Sequence, residues 1–270
     1  APLARRQARH AHPLTFPFHP SLAAPMFPLI RGWTDVQRSP GANRHLGLVL
    51  SFVAGATNAG GFLAVGRYTS HMTGIVSSLA DDLVLGHAAL VLVGFFSLLA
   101  FVLGAMCTAI MVNWGLRQHL RSSYSLPLML ESFALLIFGL FGAAITAHSP
   151  IFMPITVVLL CFIMGLQNAV ITKISKAEIR TTHITGLVTD IGIELGKMVY
   201  INRTRALAPV QADRKRLRVQ ASLVAGFITG GLLGAWGFKN LGYMTTVPLA
   251  ALLWLLSLRP LLDDWRQRTP

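Results

Sequence analysis

Six stretches of the chain are almost continuously apolar: 46–66, 87–113, 126–147, 151–172, 219–238 and 243–258. A helix needs about 20 mostly apolar residues to cross the hydrocarbon of a bilayer, so each stretch predicts a spanning helix. Two shorter segments follow another pattern. After Thr73, Ile75, Leu79 and Leu83 recur at every fourth position, while Ser77, Ser78, Asp81 and Asp82 fall on the other side. After Thr185, Leu187, Ile191 and Leu195 share one face, and Asp190, Glu194 and Lys197 another. About a dozen residues of helix reach roughly 18 Å, little more than half the hydrocarbon thickness. The periodicity therefore predicts a short amphipathic helix in each place, re-entrant or interfacial, added to six spans.

Polar positions repeat as well. "GATNAGGFLAVGRYTSHMTGIV" from Gly55 returns as "GLQNAVITKISKAEIRTTHITGLV" from Gly165. Asn58 matches Asn168, and Thr69, His71, Thr73 and Gly74 match Thr181, His183, Thr185 and Gly186, with two residues inserted between the blocks. Weaker matches follow, "LGA" at 103–105 with 233–235 and "PL" at 127–128 with 248–249. Each unit then holds three spans, an odd number, so the second must enter the membrane from the opposite side. The expected fold is an all-α integral membrane protein: six helices in two inverted three-helix repeats, 45–147 and 148–260, each with a short half-helix. Internal repeats of this kind point to transport, with a site where the two units meet.

Composition supports the bilayer and redirects the charge. Of 270 residues, 53% are hydrophobic and 12% charged, and the mean hydropathy is +0.59, too apolar for a single soluble domain. A formal charge of +13 would suit nucleic acid, but the basic residues stand between the apolar runs. Arg31, Arg38 and Arg44 precede the first span, Arg117 and Arg121 follow the second, Arg203, Arg214, Lys215, Arg216 and Arg218 precede the fifth, and Arg259, Arg266 and Arg268 follow the sixth. Short cytoplasmic loops are rich in Lys and Arg, so the pattern predicts both termini inside and an anionic inner leaflet, not nucleic acid, as partner. Residues 1–44 are expected to form a disordered basic arm, with Met26 as an alternative start, and 261–270 a cytoplasmic tail.

The candidate site residues are those of the repeat: Asn58, Thr69, His71, Thr73, Gly74, Asn168, Thr181, His183, Thr185 and Gly186. Thr73 and Thr185 are predicted N-caps, and the helix starts behind them would offer N–H groups to a polar or anionic solute in a shared cavity, with His71 and His183 binding it or relaying protons. Buried turns that only satisfy backbone groups, or helices lying on the membrane surface, are the alternatives. Asp81, Asp82, Glu131, Asp190 and Glu194 are candidates for coupling; an acid inside an apolar run is a functional candidate by default, although Glu131 could instead pair with the basic loop nearby. Gly226, Gly230 and Gly234 predict a packing seam. Cys107 and Cys161 read as small buried hydrophobes. No catalytic constellation, metal set or cofactor motif reaches a recognised spacing, so a non-enzymatic protein is expected, either a permease or a non-transporting scaffold or partner subunit, possible as a homo-oligomer.

The motifs "AGATNAGGFLAVGRYTSHMTG", "MGLQNA" and "RTTHITG" resemble those of the YoaK-type family of bacterial and fungal transmembrane proteins, over roughly 44–260. The resemblance implies an integral inner-membrane protein, sometimes labelled a permease, with no substrate established. That family often has an acid where Asn58 stands and an Asn where Ile75 stands, so it implies no role for a charge at position 58.

Overall fold

The computed structural model describes residues 33–34, 40–145, 149–175, 181–203 and 208–268. Expectations for most of the N-terminal arm, Met26 included, lie outside the described residues, as does 176–180 of the second motif.

Among the described residues all regular structure is helical: α1 (Pro40–Val65), α2 (Met72–Val84), α3 (Ala88–Arg117), α4 (Ser125–Ile145), α5 (Ser149–Ile174), α6 (Ile184–Val199), α7 (Arg214–Leu241) and α8 (Thr246–Arg268), with a 3-10 turn, Gly242–Thr245, between the last two. Four stretches are long and apolar enough to cross a membrane: Gly41–Val65, Ala88–Arg117, Met153–Ile174 and Arg214–Arg266, the last made of α7 and α8. The apolar part of α4, Ser125–Leu140, is shorter. Each of the six predicted runs falls mainly in one long helix, the last beginning within the 3-10 turn before α8, and several helices continue past the apolar residues, α7 starting at Arg214 and not at 219. Backbone bonding does not stop where hydropathy does, because basic side chains at a helix end can reach water.

The expected boundary of the disordered arm at residue 44 does not match the structure. Thr34, inside the supposed disordered arm, is buried and donates its hydroxyl to the Leu256 carbonyl at 2.9 Å, and α1 already starts at Pro40. Residues 261–268, expected in the cytoplasmic tail, continue α8 as far as Arg268. There Asp264 accepts the backbone N–H groups of Arg121 and Ser122, at 3.0 and 2.8 Å, fastening α8 to the α3–α4 turn.

Lipid is as apolar as leucine, so helices in a membrane gain little from hydrophobic burial against each other; close backbone approach and hydrogen bonds have to hold them. Small residues supply that approach. A β-carbon at Gly230 of α7 would lie 2.0 Å from the Phe52 carbonyl oxygen of α1, and one at Gly55 of α1 would lie 2.1 Å from the Phe227 carbonyl oxygen of α7. The α3–α5 pair repeats this: Gly104 faces the Phe162 carbonyl oxygen at 2.2 Å and Gly165 that of Phe101 at 2.1 Å. Phe101 and Gly104 therefore correspond to Phe227 and Gly230, an offset of 227 − 101 = 126. The "LGA" match, at 233 − 103 = 130, is one helical turn out of register. The predicted seam of Gly226, Gly230 and Gly234 is present, meeting Leu48, Phe52 and Ala56 in turn.

These contacts fix helix directions. Residue numbers rise together along α1 and α7, and again along α3 and α5, where Thr108 donates to the Leu166 carbonyl and Lys173 to Asn113. They run opposite along α1 and α5, where Leu160 faces Gly61 and Gln167 donates to the Leu50 carbonyl. They also oppose along α4 and α8, where Gly142 meets Tyr243 and Ser132 donates to the Ala250 carbonyl. Central α1 and α5 bury 56% and 61% of their apolar windows, against 22% for α3, whose outer face is left for lipid.

Replacing Gly230 by Ala should therefore lower the melting temperature of the detergent-solubilised protein by several degrees, a forced backbone shift costing about 1–3 kcal/mol. Gly192→Ala, where a β-carbon meets nothing within 4 Å, should leave it unchanged or slightly raised. Differential scanning fluorimetry of the two variants checks both.

Candidate functional site

Among the described residues both copies of the repeated motif make the same hook and short helix. After α1 ends at Val65, Gly66 takes a positive φ of 68° and the chain doubles back along α1. Ser70 then donates its hydroxyl to the Asn58 side-chain oxygen at 2.9 Å, with its backbone N–H on the same atom at 3.4 Å. In the second copy Thr182 donates its hydroxyl to the Asn168 side-chain oxygen, and Asn168 donates to the Met164 carbonyl at 2.8 Å. Each Asn is thus a hook that holds the returning chain, seven residues before the end of α1 and six before the end of α5. At 1.5 Å per residue the chain dips back by about 10 Å before the short helix starts. Ser70 and Thr182 were not among the sequence candidates; they are the residues just before each His, and their matching hydroxyls were the available signal.

The predicted N-caps are displaced. His71 and His183 occupy the N-cap positions, without side-chain capping bonds, and Thr73 and Thr185 lie inside the first turn, exposed. The imidazole folds over that turn instead. A β-carbon at Gly74 would sit 2.6 Å from His71 Nδ1, and one at Gly186 2.3 Å from His183 Nδ1. Glycine follows each Thr because the ring of the preceding His needs the space.

Thr69 and Thr181 are fully buried, and neither hydroxyl has a hydrogen-bond partner. Thr181 accepts at its backbone oxygen from Ser51 at 3.4 Å, while Thr69 packs at Gly61. The two motifs thus touch α1 ten residues apart, about 15 Å along its axis. A pocket of about 320 Å³ opens at the first, between α2, the start of α3 and α5, with Arg67, Thr69, His71, Ser78 and Asp82 in its wall. Its wall includes no residue of the second motif. Arg67 is a residue the sequence reading passed over, for it has no counterpart in the repeat.

The coupling candidates separate. Asp82 meets the exposed His87 Nδ1 at 3.1 Å, and Asp81 is exposed. Asp190 accepts from Arg216 at 3.0 Å and from Gln220 at 2.7 Å. Glu194 accepts from Lys197 and from the Asp213 backbone N–H, both at 2.7 Å. Glu131 does not pair with the basic loop: it is fully buried in α4, and neither carboxylate oxygen has a hydrogen-bond partner. Between the motifs, Thr57 and the Gln167 side-chain oxygen are also buried without partners. Among the described residues no group of three or more His, Cys, Asp or Glu side chains could hold a metal ion.

Alternating long helices, glycine-mediated contact and apolar outer faces define a multi-pass helical membrane protein. Comparison places it further: residues 46–258 match the family described as "Protein of unknown function (DUF1275)", and the chain belongs to that family. It is similar to "UPF0700 transmembrane protein YoaK" of Bacillus subtilis (strain 168), 24% identical over 163 residues, covering 58% of this chain and 69% of that protein. No solved structure matches the chain.

Two outcomes follow. Removing a hook, in Asn58→Ala or Asn168→Ala, should speed backbone hydrogen exchange about tenfold at 69–72 or 181–184 respectively, the size of one lost hydrogen bond, with the other motif unaffected. The α6–α7 junction should respond to acid. The Lys197 ammonium and the Asp213 N–H hold the Glu194 carboxyl below its ordinary range, and the N–H groups of Arg216 and Lys215 do the same for Asp213. A carboxyl depressed in the folded state stabilises fully above its unfolded pKa, and that contribution is lost as pH falls through the depressed value. The junction is therefore expected to hold at neutral pH and to loosen below about pH 4, read as faster exchange in α6.

Proposed function

We propose that the protein moves a small polar solute across the inner membrane, with six spanning helices in two inverted units and both termini cytoplasmic. One observation carries this reading: the same Asn hook and short helix stand near the C-terminal ends of α1 and α5, which run in opposite directions. Half-helices entering from opposite faces of a duplicated bundle are a transporter architecture. The helix directions also gather the starts of α1, α4 and α7 and the ends of α3, α5 and α8 at one end. Arg44, Arg117, Arg121, Lys173, the Arg214–Arg218 run, Arg259 and Arg266 all belong to that end, which supports a cytoplasmic assignment beside an anionic leaflet. In this reading α2 lies on the outer side and α6 on the inner, and Asn58, Thr69, His71 and Gly74, with Asn168, Thr181, His183 and Gly186, line or shape the route. Glu131, sealed within α4, takes the coupling role among the acids.

Single cysteines from Met72 to Leu85 and from Ile184 to Leu195, in a background without Cys107 and Cys161, should label with an impermeant thiol reagent from opposite sides of the membrane. Labelling of both segments from one side overturns the inverted arrangement. In proteoliposomes, His71→Ala with His183→Ala should abolish solute-driven swelling while leaving the protein folded; full flux removes the histidines from the mechanism, and no flux in the wild type favours a scaffold.

A further inference from the structure

The two halves differ at the place where the short helix meets the following long one. The offset of 126 that superposes Phe101 and Gly104 on Phe227 and Gly230 also pairs Leu90 with Arg216 and Gly94 with Gln220. The offset of 112 that pairs His71 with His183 pairs Ser78 with Asp190 and Asp82 with Glu194. In the second half these positions close the gap: Arg216 and Gln220 both reach from α7 to Asp190 on α6. In the first half Leu90, Gly94 and Ser78 are too short or too apolar to bridge α2 and α3, and the corresponding gap is the pocket of about 320 Å³. The difference is one of side-chain identity: the bridge that Arg216 and Gln220 make to Asp190 has no equivalent at Leu90, Gly94 and Ser78.

The wall specifies what fits. Arg67 and Asp82 carry opposite charges on one pocket, and Arg67 forms no ion pair among the described residues. Between them stand Ile75, Leu79 and Leu90, with Ser78 and Ser97 as polar points. Thr69, a further wall residue, is fully buried with its hydroxyl unpartnered. Arg67 and Asp82 are the formal charges of the wall and they cancel, Asp82 also meeting the exposed His87 Nδ1 at 3.1 Å, so the pocket has no net preference for an anion over a cation. A volume near the small end of ligand pockets, about 300–1,000 Å³, admits a molecule of a few carbons. We infer that the pocket binds a small zwitterion, its carboxylate on Arg67 and its ammonium on Asp82, and that the second half is a sealed relic of the same site. This inference rests on reading the pocket as the solute site, not on solute being moved.

Purified wild-type protein is melted with β-alanine, γ-aminobutyrate or glycine betaine, and with propionate or propylammonium at equal ionic strength. At least one zwitterion should raise the melting temperature saturably, and neither singly charged compound should match it. Arg67→Gln, on an exposed turn, should raise the half-saturating concentration at least tenfold. Ser78→Asp with Gly94→Gln, which writes the sealed half's residues into the open one, should abolish the shift. Equal protection by propionate, protection by no zwitterion, or an unaltered response in Arg67→Gln overturns the inference. If a zwitterion binds but proteoliposomes show no flux, the transport reading fails and the site stands; flux of another solute without zwitterion binding has the opposite meaning.

Discussion

Contact between helix backbones at four glycines is the constraint from which the rest of the structure follows. Gly55, Gly104, Gly165 and Gly230 each bring a carbonyl oxygen of the neighbouring helix to where a β-carbon would stand. Because hydrocarbon outside offers no contrast to hydrocarbon inside, such contacts do the work that core burial does in water. They set α1 on α7 and α3 on α5 in parallel pairs, and those pairs leave the short helices only the two opposite ends. Any larger residue at these sites would separate the pairs and with them the turns that Asn58 and Asn168 hold.

Much of this is legible in the sequence because membrane helices announce themselves by length and composition. All six long helices and both short ones follow from apolar runs and fourfold periodicity, and the motif repeat from direct comparison of residues. What failed depends on interactions that periodicity does not carry. Thr73 and Thr185 have the chemistry of N-caps, but His71 and His183 occupy the position because the returning chain is held one residue earlier, at Ser70 and Thr182. The "LGA" match misled because a three-residue likeness says nothing about which glycine meets a carbonyl. Glu131 looked close enough to Arg121 to pair with it, yet in α4 it faces inward.

The candidate site was visible in part. Equivalence of the two motifs suggested one cavity shared between them, whereas their threonines meet α1 about 15 Å apart and the pocket at the first has no residue of the second in its wall. The difference lies in Leu90 and Gly94 against Arg216 and Gln220, residues outside the repeated octapeptide and without any likeness to mark them as counterparts. Repetition revealed the architecture; departure from repetition locates the pocket.

Asp264 has a consequence for how the chain matures. The turn between α3 and α4 belongs to the first half, yet the N–H groups of Arg121 and Ser122 find their acceptor 143 and 142 residues later. A ribosome reaches that residue only after α4 to α7 and most of α8 have been made. Until then the early helices can insert and pair, but that turn lacks its acceptor, so the first half is completed only after the second has been made.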